Sequence, residues 1–295
     1  MPDLRQWPAV GLVAAPWAFV LLWSTGFIVA KYAAPHAPPL TFLLYRFAGV
    51  VLILLPLVVA TQAPWPRTVR AWCDVAIVGV LLQAAYLAGV WMAIALGMPA
   101  GISALLVGAQ PLLTALFAFT VGERASRLQW IGLIVGFAGI ALVLSDRLTL
   151  AGVGSLALAV NLMALAGITA GTLYQKKFAG EVDLRTGSVI QFAASFLVLL
   201  PFALATESAV VDYTLEFWVA LAWSIIALSL IAISLLLVMI RRGRATEVAS
   251  LMYLTPPTTA VLAFLLFDEV LGSLAWVGVF VTMTGVALVL RAGKS

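Results

Sequence analysis

The chain reads as an all-α membrane protein of ten transmembrane helices, built as two inverted five-helix repeats. Three observations predict this. Of the 295 residues, 64% are hydrophobic and 9% charged, with mean hydropathy +1.15, whereas a soluble domain carries about a quarter charged residues. Ten apolar stretches approach the ~20 residues that a bilayer core requires: 10–33, 40–61, 72–96, 100–121, 128–145, 153–178, 186–205, 216–240, 246–267 and 273–291. Finally, residues 97–145 recur as 243–291 at an offset of 146, matching Gly97 to Gly243, Pro111 to Pro257, Glu123 to Glu269, Trp130 to Trp276 and Gly139 to Gly285. A weaker match at offset 145 joins Gly26 to Gly171, Lys31 to Lys176, Phe47 to Phe192 and Pro56 to Pro201. The repeats are therefore 1–148 and 149–295, and the change of offset fits a one-residue indel in a loop.

The first span follows a short tail without a cleavable pattern and is read as no signal peptide. It aligns Trp17, Leu21, Ser24, Ile28 and Lys31 on one face. Pro38-Pro39 breaks the chain before the second span, which carries Arg46, and Pro64-Trp65-Pro66 before the third, which has Gln83 and Tyr86 on one face. Lys31 and Arg46 are the basic residues that could draw a substrate carboxylate from the outer side. Snorkelling to water is the competing explanation for both.

The fourth span carries Ser103, Val107, Gln110 and Thr114 at helical spacing, with Pro111 in its middle; the ninth carries Ser250, Tyr253 and Thr255, with Pro256 and Pro257. An interior proline removes one backbone hydrogen bond and clashes with the carbonyl four residues back, so the carbonyls near Val107 and Met252-Tyr253 are freed. Such breaks serve as hinges, line a site, or act as plain packing kinks. In the fifth span, Gly132, Gly136 and Gly139 form a small-residue face suited to close packing within one monomer. The sixth carries Asn161, Thr169, Thr172 and Gln175. Polar side chains in hydrocarbon face the bundle interior, so Ser24, Gln83, Tyr86, Gln110, Asn161, Thr169, Tyr253 and Thr255 are the candidate substrate-binding groups. For each the alternative is an interhelical hydrogen bond. Trp17, Trp23, Trp91 and Trp223 lie deep in spans, while Trp7, Trp65, Trp72, Trp130, Trp218 and Trp276 fit interfacial belts.

Charge sets the orientation. With the N-terminus in the cytoplasm, thirteen of the sixteen Lys and Arg residues fall on the inner side; Lys31, Arg46 and Arg147 do not. This positive-inside bias places both termini in the cytoplasm. Five spans per half make the second half start from the opposite face, so the repeats are inverted. An apolar doubled unit of this kind is a signature of secondary transporters, whose substrate site lies between the halves.

The run Pro111…Gly122-Glu123…Gln129-Trp130-Ile131-Gly132…Gly139, its second copy Pro257…Asp268-Glu269…Trp276-Val277-Gly278…Gly285, and Trp23 before Lys31 resemble the EamA branch of the drug/metabolite transporter superfamily. The resemblance covers essentially the whole chain, and within the family the chain looks most like the YddG-type amino-acid exporters of bacterial inner membranes. It implies a central cavity lined by spans 1, 3, 4, 6, 8 and 9, and export of small metabolites.

What is missing bounds the mechanism. All twelve Asp and Glu lie in loops, tails or span ends, whereas proton-coupled carriers keep a carboxylate near the midplane. The lone histidine, His36, is in the first outer loop. No phosphate-binding glycine pattern is present. Cys73 is the only cysteine, which rules out an intrachain disulfide and a thiolate metal cluster. The expectation is an uncoupled exporter of amino acids with aromatic or other apolar side chains, working by alternating access. It is expected to be monomeric, with no cofactor, no metal and no nucleic-acid partner. A drug or nucleotide-sugar carrier is the alternative within the class. An intramembrane enzyme would need a buried histidine beside a serine, or paired membrane aspartates, and neither is available.

Overall fold

The computed structural model describes residues 9–98, 100–143, 145, 153–208, 210–242, 245–267 and 272–292, and among them the chain is helical with no strand. The helices are α1 Ala9–Ala33, α2 Pro39–Ala60, α3 Val69–Ala95, α4 Ala100–Val107, α5 Gln110–Phe117, α6 Arg127–Val143, α7 Ser155–Phe178, α8 Leu184–Thr206, α9 Leu215–Arg242, α10 Ala245–Ser250, α11 Thr255–Phe267 and α12 Ser273–Ala292. Six of them (α2, α3, α7, α8, α9 and α12) are long and apolar enough to cross a bilayer. Leu52, Val59, Leu197 and Phe280 stand exposed on the outside of the bundle, as expected for surfaces solvated by lipid tails.

The fourth and ninth apolar stretches do not run as continuous α-helices. α4 stops at Val107, a turn covers Gly108-Ala109, and Pro111 sits in the first turn of α5, where its missing N–H costs nothing. α5 then tightens into a 3₁₀ turn over Ala118–Val121. In the second case α10 gives way to a 3₁₀ turn over Leu251–Leu254, and Pro256 and Pro257 begin α11. Each break lies about one turn before its proline, where an α-helix would have placed the lost hydrogen bond.

Two further irregularities carry no sequence signal. α3 winds as a π-helix over Val80–Ala85, and α9 does so over Ser224–Ala232. Shifted by the 145-residue offset, the first segment falls inside the second. π turns are rare and concentrate at functional sites.

Packing is tightest where glycines remove side chains. α6 meets α12 through Gly132, Gly136 and Gly139 on one side and Gly278 and Gly285 on the other. A Cβ on Gly285 would lie 2.3 Å from the Gly136 backbone nitrogen, and one on Gly139 2.5 Å from the Thr282 nitrogen. The small-residue face thus packs inside the chain. α3 meets α7 at Gly89 and Gly167, and α8 at Gly79. Beyond these contacts α2 packs on α8, α1 on α9 and α11, and α5 on α7. At one end, the Glu207 carboxylate accepts from the Leu40 and Thr41 backbone N–H groups at 2.8 and 2.7 Å and from the Thr41 hydroxyl at 2.7 Å. It caps the start of α2 in place of the absent side-chain cap at Pro38. The Asp212 N–H donates to the His36 carbonyl at 2.8 Å, so the α8–α9 connection is fastened to the α1–α2 connection.

Candidate functional site

The interior holds two cavities that share two residues. One, about 50 Å³, is lined by Trp23, Gly26 and Ala30 of α1, Arg46 of α2, Tyr86, Leu87, Val90, Trp91 and Ile94 of α3, and Leu228 of α9. It lies toward the end of the bundle where α1 and α3 finish and α2 begins. The other, about 30 Å³, lies deeper. It is lined by Trp23 and Tyr86 again, then Val107, Gly108 and Gln110 at the first helix break, Ile168 of α7, and Met252, Thr255 and Pro256 at the second. The partition between them is the Trp23–Tyr86 pair, stacked at 6.3 Å between ring centroids and 6° between planes. The cavity wall thus draws on the six expected stretches and on α2 as well.

Helix irregularity positions this site. The two proline breaks both bring backbone to the deeper cavity. The π-helical stretch of α3 ends at Ala85, so Tyr86 follows directly from it, and Leu228 belongs to the π-helical stretch of α9. Arg46 is 4% exposed, and its Nε donates to the Ser229 hydroxyl at 2.8 Å across the interior. It is the only charged side chain lining either cavity among the described residues. The wall around Arg46 is otherwise aromatic and aliphatic: Trp23, Tyr86 and Trp91 face it, and Trp91 stacks on Phe42 at 5.1 Å.

The candidate polar residues divide into groups. Tyr86, Gln110, Thr255 and Arg46 line the cavities, as does Pro256. Gln110 donates from Nε2 to the Thr114 hydroxyl at 3.0 Å and leaves its buried Oε1 unpartnered. The buried Thr255 hydroxyl also has no partner among the described residues. Ser24 is fully buried and donates to the Val20 carbonyl at 2.7 Å and the Thr255 carbonyl at 3.3 Å, while the Thr259 hydroxyl donates to the Ser24 carbonyl at 3.1 Å. It thus joins α1 to α11 just behind the wall. Gln83 is fully buried with both amide atoms unpartnered.

The remaining candidates lie elsewhere. Asn161 donates to the Ser103 hydroxyl and so ties α7 to α4. Thr169 bonds the Leu165 carbonyl at 2.7 Å and faces a separate apolar groove between α5 and α7. Tyr253 is fully buried with its ring against Gly136 of α6, and its hydroxyl has no partner. Pro111 and Pro257 are buried at the breaks. The Lys31 side chain lies outside the described ones. Trp17 and Trp223 face outward, the latter donating to the Thr25 hydroxyl at 2.8 Å.

Sequence reasoning passed over Gly26, Leu228 and Ser229. Ser229 alone offered a signal, a hydroxyl in an apolar helix. At the far end from Arg46, the Lys176 ammonium meets the Glu123 carboxylate at 3.7 Å, linking the end of α7 to the turn after α5. Among the described residues no group of three His, Cys, Asp or Glu could hold a metal ion.

Comparison with known proteins bears on family and fold. A family model described as the EamA-like transporter family matches the chain twice, over residues 11–145 and 155–291. The chain is 26% identical over 282 residues to the uncharacterized inner membrane transporter YedA of Escherichia coli strain K12, covering 94% of this chain and 90% of that protein. It is 25% identical over 276 residues to a probable amino-acid metabolite efflux pump of the same strain, covering 90% of each. It is also 25% identical to the uncharacterized transporter YvbV of Bacillus subtilis strain 168, covering 94% of this chain and 90% of that one. A solved crystal structure shares the fold at a TM-score of 0.77 and 18% identity, covering 95% of this chain and 98% of its own.

Proposed function

The chain belongs to the EamA-like transporter family, and we propose that within it this membrane transporter exports amino acids with aromatic or other apolar side chains. The observation that carries the reading is the pair of cavities meeting at Trp23 and Tyr86 between two proline-broken helices. Unwound backbone at mid-membrane is tolerated where it lines a cavity, and substrate sites of doubled carriers use such breaks. The deeper cavity offers Gln110, Thr255 and nearby backbone carbonyls to the polar end of a substrate, and the aromatic wall suits an apolar side chain. Ser24 and Gln83 stand behind it as support. The name of the probable amino-acid metabolite efflux pump points to the same substrate class.

Movement follows alternating access. The helix contacts come in exchangeable sets, which supports ten spans in two inverted repeats, 1–148 and 149–295. α6 pairs with α12 and α2 with α8; α1 packs on α9 and α11 as α7 packs on α3 and α5. Each set maps onto itself or its counterpart when the halves are exchanged, as two interconvertible end states require. Pro111, Pro256 and Pro257 are the hinges. The chain works as a monomer in a bacterial inner membrane, in keeping with the inner-membrane relative, with both termini cytoplasmic. Transport is facilitated diffusion, because among the described residues no acidic side chain lines either cavity.

The test is flux. Purified protein in liposomes preloaded with mixed amino acids should release aromatic and branched ones down their gradients with no pH or sodium gradient imposed. Uphill accumulation driven by a proton gradient alone overturns the uncoupled mechanism. Efflux of some other solute class, with every amino acid retained, overturns the substrate.

A further inference from the structure

Arg46 lies about two turns into α2, counted from Pro39. It is 4% exposed, and it faces a cavity whose wall is otherwise apolar or aromatic. Burying a cation without a counter-ion is costly, and membrane arginines normally face a partner, a water-filled cavity or a ligand. Arg46 has no carboxylate partner among the described residues, where ion pairs such as His36–Asp212, Arg70–Asp74, Lys176–Glu123 and Arg185–Asp183 all form without it. None is close by in sequence either, since α1 and α2 contain no acidic residue and α3 has only Asp74, which is occupied by Arg70 and Tyr174. The one hydrogen bond Arg46 makes uses Nε, donated to Ser229. That bond fixes the side chain and leaves the two terminal nitrogens free, and these suit an anion bound two-pronged.

We propose that Arg46 is the carboxylate-binding residue of the transporter, and that the substrate class is small monocarboxylates with an apolar or aromatic body. An α-amino group is not required for recognition. The charge balance argues this second point: among the described residues the cavities present one cation and no anion, so a carboxylate gains an ionic partner and an ammonium does not. Trp23, Tyr86 and Trp91 would take the body of the ligand. Ser229 is a positioning residue that holds the guanidinium toward the cavity.

The inference rests on the transport reading above, and the experiment separates the two. Wild-type proteoliposomes are assayed for phenylalanine efflux against three competitors: 3-phenylpropionate, phenylalaninamide and phenethylamine. The first should compete about as well as unlabelled phenylalanine, and the other two at least ten times more weakly. In parallel, tryptophan fluorescence of detergent-purified protein is titrated with 3-phenylpropionate and phenethylamine; saturable quenching is expected for the acid alone, since Trp23 and Trp91 line the cavity. Arg46→Gln should raise KM for phenylalanine by about ten- to a hundredfold, the loss of one to two charge-assisted hydrogen bonds, and abolish the quenching. Arg46→Lys should recover part of the affinity, and Ser229→Ala should raise KM less than Arg46→Gln does. If the amide or the amine competes as well as the acid, or quenches equally, the carboxylate assignment is overturned while transport stands. This wild-type result decides even if the variants fail to fold. Acid-specific quenching in protein that moves no amino acid would sink the transport reading and leave the Arg46 site intact.

Discussion

Where α6 meets α12, five glycines let two backbones touch; where α1, α3, α5 and α11 converge, the same chain places large rings, broken helices and unpaired polar atoms. The first region is dry and closed: Gly285 leaves no room for a Cβ, and Thr282 satisfies its hydroxyl by donating to the Gly278 carbonyl at 2.8 Å. The second holds two cavities, the stacked Trp23–Tyr86 pair, and buried oxygens on Gln110 and Thr255 without partners. Lipid offers no hydrophobic drive for helix association, so a membrane bundle is held by close packing and interhelical hydrogen bonds. The α6–α12 seam uses that resource fully. The cavity region forgoes it, and an unsatisfied buried polar group costs about 1–3 kcal/mol. That cost persists where the groups serve a ligand or a moving part.

The largest expected effect is therefore in the seam. Gly285→Ala puts a Cβ within 2.3 Å of the Gly136 nitrogen and 2.6 Å of the Gly132 carbonyl oxygen. Backbone cannot yield as a side chain can, so the loss should reach at least the upper end of the ~1–3 kcal/mol typical of overpacking. Gly154→Ala, with nothing within 4 Å and no left-handed φ, is the matched control. Thermal unfolding by size-exclusion of detergent-purified protein reads both. Equal stability in the two variants would mean that the seam is not the tight structural joint described here.

The cavity region should respond the other way round. Replacing Gln110 with Leu removes the unpartnered buried Oε1 together with the Nε2 donation to Thr114, so stability should change by less than about 1 kcal/mol, of either sign. Transport of every substrate should nonetheless fall about ten- to a hundredfold if the amide binds the polar end of the substrate. Paired melting and flux measurements on one preparation decide it. Unchanged flux would place Gln110 among structural polar groups, with no part in the pathway.

Much of this contrast is legible in the sequence, because its causes are local. Gly132, Gly136 and Gly139 at helical spacing announce a close contact, and Pro111 and Pro257 announce breaks whose place follows from one missing N–H. The apolar runs mark the helices to within a few residues. The rest depends on partners far along the chain. Nothing at Val80–Ala85 or Ser224–Ala232 demands a π-helix; the register comes from packing, against α7 and α8 for the first and against α1 and α2 for the second. Arg46 near a helix end can snorkel or turn inward, and Ser229, 183 positions later, turns it inward. Thr169 and Tyr253 occupy polar positions in apolar helices much as Gln110 does, yet helix rotation directs one to the groove beside α5 and the other against Gly136. Side-chain polarity selects the interior of a bundle, not which part of the interior.

The smallest expected effect tests whether the two regions are joined at their edge. The Lys176–Glu123 pair spans the end of α7 and the turn after α5, its side chains 23% and 14% exposed. At 3.7 Å the pair is long and mostly buried, so desolvation and side-chain ordering offset much of the attraction and the net coupling should stay small, about 0.2–1 kcal/mol. Lys176→Gln and Glu123→Gln should each lower the melting point only slightly, and a double-mutant cycle should return a coupling within that range. The effect on conformation should be larger than the effect on stability. α5 and α7 both wall the deeper cavity, so loosening their far ends should raise access to Gln110→Cys, in a Cys73→Ser background, for a polar maleimide added from the Lys176 side. Restored protection in the charge-reversed pair, Lys176→Glu with Glu123→Lys, would show that attraction between these two ends holds that side closed. A coupling of zero together with unchanged labelling would reduce the pair to a surface contact and leave the glycine seam alone as the rigid joint of the bundle.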